Sequence, residues 1–130
     1  MLTKPWLTPS YGHPTFIVHG IHRRYAGWYN GNPSELFSAT SALIAQEVLK
    51  LCGSDEVIKR VQKLVEEDKL QLALNIVDFA VKGSDGQAHK QALMLKAEML
   101  EKRAVTESNL IARNIFLNGA KMAKEEADSI

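Results

Sequence analysis

The stretch Ser54-Asp55-Glu56-Val57-Ile58-Lys59-Arg60-Val61-Gln62-Lys63-Leu64-Val65 decides the fold class. Val57, Ile58, Val61, Leu64 and Val65 recur at three- and four-residue spacing, which places them on one stripe of a helix and the charged residues on the other. Ser54 stands where an N-cap belongs, and Asp55 and Glu56 fall in the first turn, where the positive end of the helix dipole favours acids. The stripe gives out at Glu66-Glu67-Asp68-Lys69. Upstream, Leu43, Ile44, Val48 and Leu51 show the same period, with Gly53 as a stop. Downstream, Leu70 to Val81 offers Ala73, Leu74, Val77 and Ala80 before breaking at Gly83-Ser84-Asp85-Gly86. Gln87 to Arg103 carries Ala88, Ala92, Leu95 and Met99 on one face. Thr106 is a candidate cap for a last helix with Leu110, Ile111, Asn114 and Leu117 along one side. No period-two alternation or hairpin dipeptide interrupts the series. The expectation is an all-α bundle of about five or six helices.

These helices pair into helix-turn-helix units roughly 34 residues long. Ala73 and Ala80, seven apart, fall where a tetratricopeptide unit keeps small residues for close helix packing. So short an array needs extra helices or a partner chain to cover its apolar ends.

The 130 residues carry 16 Lys+Arg against 15 Asp+Glu, a net charge of +1, but the balance is a cancellation. From Met1 to Pro33 there is no acid, while Lys4, Arg23 and Arg24 are basic. All four prolines lie in this part, as do His13, His19 and His22 and six of the nine aromatics, so it differs in kind from the acidic remainder. The prolines keep Lys4 to Pro14 extended or turning. From Thr15, a helix with Phe16, Ile17, Ile21, Tyr25 and Trp28 on one side is expected, ending at Asn30-Gly31-Asn32-Pro33. The first part reads as a docking or anion-facing segment, the second as a helical body.

Several function classes fall away. The near-neutral total is unlike a nucleic-acid binder. No run approaches the ~20 apolar residues that span a bilayer, and MLTKPWLTP lacks the apolar core of a secretory signal. One cysteine, Cys52, allows no internal disulfide; it reads as a small core residue, and its solitude suits either a bacterial cytoplasm or a periplasm. His19 and His22, three apart, can share a metal, but no carboxylate or cysteine nearby completes a site, so polar contacts are the plainer reading. Arg23 and Arg24 with Tyr11 can grip a sulfate, phosphate or carboxylate through the guanidinium fork, or equally a partner domain's acids. Glu66, Glu67 and Asp68 read as a solvated helix end rather than an acid/base pair. No phosphate loop, nucleophile triad or HxHxDH zinc cluster is present, so no catalytic residue is assigned.

The string Arg24-Tyr25-Ala26-Gly27-Trp28-Tyr29-Asn30-Gly31-Asn32-Pro33 resembles the RYxGWF-(D/N)-GNP signature of the zinc-dependent alkyl sulfatases. Arg113-Asn114-Ile115-Phe116-Leu117-Asn118-Gly119-Ala120 is similar to the family's RN-(F/Y)-YL-x-GA segment, and Tyr11-Gly12 precedes the first string at the family's spacing. The resemblance covers residues 11 to 122. It implies a helical dimerisation domain, residues 16–130, behind an extended linker, residues 1–15, from a catalytic domain of the metallo-β-lactamase type that would hold the zinc. Implied partners are a second copy and that catalytic domain; the chain itself would bind no cofactor. On this reading Tyr25, Trp28, Leu36 and Phe37 are interface or packing residues, and Tyr11, His19 and Arg24 are contacts to an anionic head group. Thr15-Phe16-Ile17 replaces the family's Ser-His-Asn, which points to a divergent branch and leaves the ester open. A free-standing tetratricopeptide-like interaction module and a small self-sufficient enzyme are the competing readings.

Overall fold

A computed structural model describes residues 9–130, so the segment before Pro9, including most of the expected linker, lies outside the described residues. The described chain is all-helical: α1 (Pro14–Ala26), a single 3-10 turn (Pro33–Glu35), α2 (Ser41–Cys52), α3 (Ser54–Glu66), α4 (Leu70–Gly83), α5 (Gly86–Thr106) and α6 (Leu110–Asp128). Six α-helices and no strand among the described residues match the expected fold class.

The order of packing follows the chain. α4 sits against α2, α3 and α5, and α6 closes the far side of α5. The deciding stretch behaves as its period requires, since Val57, Ile58, Val61 and Leu64 are all buried. They meet Ala73, Leu74, Val77 and Ala80 of α4, and Ala92, Leu93, Ala97, Met99 and Leu100 of α5. Among the described residues, ten of the twenty buried apolar residues are alanines, and no aromatic side chain is fully buried. Small side chains let helix axes approach to the low end of the ~8–10 Å range. At Gly83 the approach is closest, because a Cβ there would stand 2.8 Å from the Ala45 carbonyl carbon and 2.9 Å from the Gln46 amide nitrogen.

Several local expectations are corrected by what the helices bury. In α2 the buried residues are Ala45 and Leu49, while Leu43, Ile44 and Leu51 are exposed. Cys52 is likewise exposed, at the end of α2, its thiol donating to the Val48 carbonyl. It is not a core residue: at 100° per residue it shares the Ala45 and Leu49 side of α2, but it is the last residue of the helix and stays exposed. Ser54 does not cap α3. Gly53, at φ 80°, occupies that position with no side-chain bond, and Ser54 is already helical. Thr106 does not cap α6 either; it is the last residue of α5, and Asn109 takes the role. The face of α6 that packs on α5 is Ala112, Ala120, Ala123 and Ala127, not the larger Leu110, Ile111 and Leu117. Alanine wins over leucine there for the reason Gly83 wins between α2 and α4: the gap is narrow.

Gly83→Ala is expected to push α2 off α4 and to destabilise the bundle by about 1–3 kcal/mol, read as a lower midpoint in urea with helix content retained in water.

Candidate functional site

Nothing in α1 is buried, yet the helix is well formed. Pro14 opens it, the His13 ring nitrogen Nδ1 accepts from the Thr15 amide at 3.2 Å, and Arg23 and Arg24 lie in its last turn, where the dipole favours cations. At 100° per residue, Ile17, Val18, Ile21 and Tyr25 fall within one third of its circumference. Phe16 lies off that stripe and stacks beside His13, 4.9 Å between ring centres. Trp28 lies past the end of α1, edge-on to Tyr29 at 6.0 Å. The expected aromatic helix is therefore present, with Val18 in place of Phe16 on its apolar side.

What holds this arm to the bundle is Asn109, completely buried between α5 and α6. Its Oδ1 accepts the Ala112 amide at 2.9 Å, capping α6. Its Nδ2 donates to the carbonyls of Pro9 at 2.6 Å and Tyr11 at 3.1 Å. The Leu110 amide, one of the free donors at the start of α6, is met by the Ser10 carbonyl at 2.8 Å. Glu107 completes the junction by accepting the Asn109 amide at 2.9 Å and pairing with Arg103 at 3.0 Å. These hold its carboxyl below the ordinary value of 4.5, the Asn109 amide first and the Arg103 charge after it, against an opposing effect of burial. The Arg103 guanidinium also lies 5.2 Å from the Phe116 ring centre, tying α5 to α6.

The turn after α1 is organised from within. The Glu35 carboxylate accepts from the side-chain amides of Asn30 at 2.6 Å and Asn32 at 3.0 Å. Asn32 caps the 3-10 turn through the Ser34 amide. This explains the Asn-Gly-Asn-Pro string as a self-braced loop, and it leaves Leu36 and Phe37 projecting.

The arm leaves its large apolar side chains uncovered: Tyr25 is 82% exposed, Trp28 74% and Phe37 96%, with Leu36 also exposed. None of these four packs into its own bundle. Tyr11, His19 and Arg24 are exposed as well. His19 and Arg24, five residues apart, project roughly 140° from each other around the helix, and Tyr11 precedes it, so the chain alone does not bring the three to one point. His19 and His22 share the exposed arm. Among the described residues no group of three or more His, Cys, Asp or Glu gathers to hold a metal. Glu67 of the acidic run is clasped by Lys69 at 2.7 Å and Arg60 at 3.1 Å, which hold its carboxyl below the usual range, Lys69 foremost. It is an ion-paired helix end. Sequence reasoning missed Asn109; its signal was an Asn immediately before the helical run that begins at Leu110, in competition with Thr106.

Residues 1–126 match the family described as alkyl sulfatase dimerisation. The chain belongs to that family. Among curated proteins it is similar to an (R)-specific secondary-alkylsulfatase of a Pseudomonas species, 25% identical over 121 residues, and to the alkyl/aryl-sulfatase BDS1 of Saccharomyces cerevisiae, 28% identical over 121 residues. Each match covers 92% of this chain and 18% of the relative, so the chain spans less than a fifth of the proteins it resembles. The fold is that of a segment of the sec-alkyl sulfatase PisA1, solved as a double mutant, with a TM-score of 0.81 at 23% identity, covering 92% of this chain and 19% of that one. Among the described residues no helix is long and apolar enough to cross a membrane.

Asn109→Asp keeps an acceptor for the α6 cap but loses the donor to Pro9 and Tyr11, leaving two carbonyls without their partner. The expected result is release of the arm at a cost of about 1–3 kcal/mol, seen as faster tryptic cleavage after Arg23 and Arg24 with the bundle's helix signal intact. Glu107 binds its proton more weakly when folded than when unfolded, so its stabilisation is present above the ordinary carboxylate range and fades as pH falls through its folded value. In Glu107→Gln the loss of stability on acidification is expected to be shallower, checked by urea titrations from neutral pH to pH 3.

Proposed function

We propose that this chain is the homodimerisation domain of an alkyl-sulfatase-like, zinc-dependent sulfuric ester hydrolase, and that its arm also shapes the entrance to the catalytic site. The observation that carries the reading is the uncovered arm. A run of Ile, Tyr, Trp and Phe side chains displayed on one helix and its following turn is costly to leave in water and marks a contact surface. Family membership supports a second copy and a catalytic domain as what it touches.

The chemistry divides accordingly. The zinc and its ligands belong to a catalytic domain of the metallo-β-lactamase type outside this chain, where the metal supplies Lewis-acid activation of the ester. This chain contributes contacts. Tyr25, Trp28, Leu36 and Phe37 are anchors, with the large, amphipathic area typical of interface centres. The acid-free arm, with Arg24, His19 and Tyr11, presents a positive, hydrogen-bonding surface to a sulfate head group, once a neighbouring domain brings them together. The helix pairs α4 and α5 act as a tetratricopeptide-like frame behind that surface.

Light scattering on the isolated chain is expected to give twice the monomer mass, and zinc added to it is expected to give no alkyl sulfate hydrolysis. A chain that stays monomeric at high concentration overturns the dimerisation reading. Trp28→Ser is expected to weaken self-association about tenfold or more, the usual effect of truncating a buried aromatic anchor.

A further inference from the structure

A second apolar surface is left over once the arm has been described. On α6, Ile111, Ile115, Asn118 and Met122 follow a four-three-four spacing that sets them in one narrow stripe, turned away from the Ala112, Ala120, Ala123 and Ala127 face that packs on α5. Ile115 is 59% exposed and Met122 60% exposed, and Gly119 beside them leaves a shallow trough. Among the described residues, α1 and α6 thus each present an uncovered apolar face.

We infer that these two faces cover each other between copies: in the dimer, α1 of each chain lies on the Ile111–Met122 stripe of the other chain's α6. The inference rests on the dimerisation reading above and says where the dimer is made. Charge is what selects this occupant. The apolar stripe of α1 is bordered by Arg24 on one side and His22 on the other, and the arm holds no acid through Pro33. The stripe of α6 runs into Glu125 on one border and Glu126 on the other, with Asp128 beyond. Of the nearby bases, Lys124 is held by Glu101 of α5 at 2.5 Å, Lys121 lies 3.6 Å from Glu125, and His89 of α5 meets Glu126 at 3.1 Å, while the side chains of Glu125 and Glu126 stay more than half exposed. A basic-bordered apolar ridge therefore meets an acid-bordered one. Two copies of the α6 stripe laid together would instead bring two polar Asn118 side chains into one contact rather than one, and two copies of α1 would oppose Arg24 and His22 to bases.

Order along the helices agrees with this. In α1 the apolar residues precede the charges, and in α6 they do so again, so a parallel lie matches apolar to apolar and base to acid at once. The Asn109 junction keeps the start of each arm at the start of its own α6. An arm that leaves from there and crosses to the second copy brings the two α6 N-termini close to the two-fold axis, where reciprocal exchange is closed and makes the contact twice.

The test uses two single variants at positions more than half exposed in the chain, Ile21→Asp on the arm and Ile115→Asp on α6. Each is expected to fold, with unchanged helix content by circular dichroism, and to weaken the dimer at least tenfold by light scattering. Mixed together, they can form one intact contact, between the arm of the Ile115→Asp chain and α6 of the Ile21→Asp chain. With donor and acceptor dyes on the lone, exposed Cys52, energy transfer is expected in the mixture and not within either variant alone. Tyr25→Asp with Met122→Asp repeats the experiment should either first variant lose helix. Three results overturn the inference while leaving dimerisation standing: Ile21→Asp still a dimer, Ile115→Asp still a dimer, or a mixture without transfer. A wild-type chain that is monomeric throughout overturns the dimerisation reading itself.

Discussion

One buried asparagine side chain joins the two halves of this molecule. Asn109 spends its oxygen on the first turn of α6 and its nitrogen on two carbonyls of the N-terminal segment. A carboxylate cannot donate, a serine is too short to cap and reach at once, and a leucine would leave the Ala112 amide and both carbonyls buried without partners. The bundle can form without this residue, because α3, α4 and α5 share an apolar core that does not involve it. The position of the arm cannot. The arm, from Tyr11 to Phe37, is tied to the bundle at that junction.

The bundle is built for closeness rather than bulk. Half its buried apolar residues are alanines, and one glycine lets α4 lie close against the backbone of α2. The consequence is that large apolar residues are not consumed inside. Leucines, isoleucines and aromatics remain for the outside, on α1, the following turn and α6, where an isolated globular domain has no use for them. A domain that saves its large side chains for its surface is organised around contacts with other polypeptide, and family membership accords with that.

The period of Val57 to Val65 made the helical class legible, since burial of one stripe is the same demand whatever the neighbours are. Which stripe of α2 and α6 faces inward was not legible in the same way. Reading apolar size as burial favours Leu43, Ile44, Leu110 and Leu117, whereas narrow gaps select Ala45, Ala112, Ala120 and Ala123. The arm was visible from its lack of acids and its aromatic crowding, and its exposure follows from having nothing opposite it among the described residues. Asn109 was hidden because half of its work is done for residues some hundred positions away, which no local pattern reports. Tyr11, His19 and Arg24 were found as candidates by type, and their convergence depends on surfaces beyond this chain.

The reach of Asn109 also bears on the order of assembly. Its partners Pro9 and Tyr11 lie 100 and 98 positions upstream. Closing a loop of that size costs on the order of 4 kcal/mol of chain entropy, before any constant, for a gain of a few hydrogen bonds. Such a contact is made only after the short-range helix pairs have collapsed the intervening chain. During synthesis the arm emerges before α6 and is seated only once α6 has left the ribosome. The docking surface is thus withheld from its final position until the rest of the domain has been checked into place by its own folding.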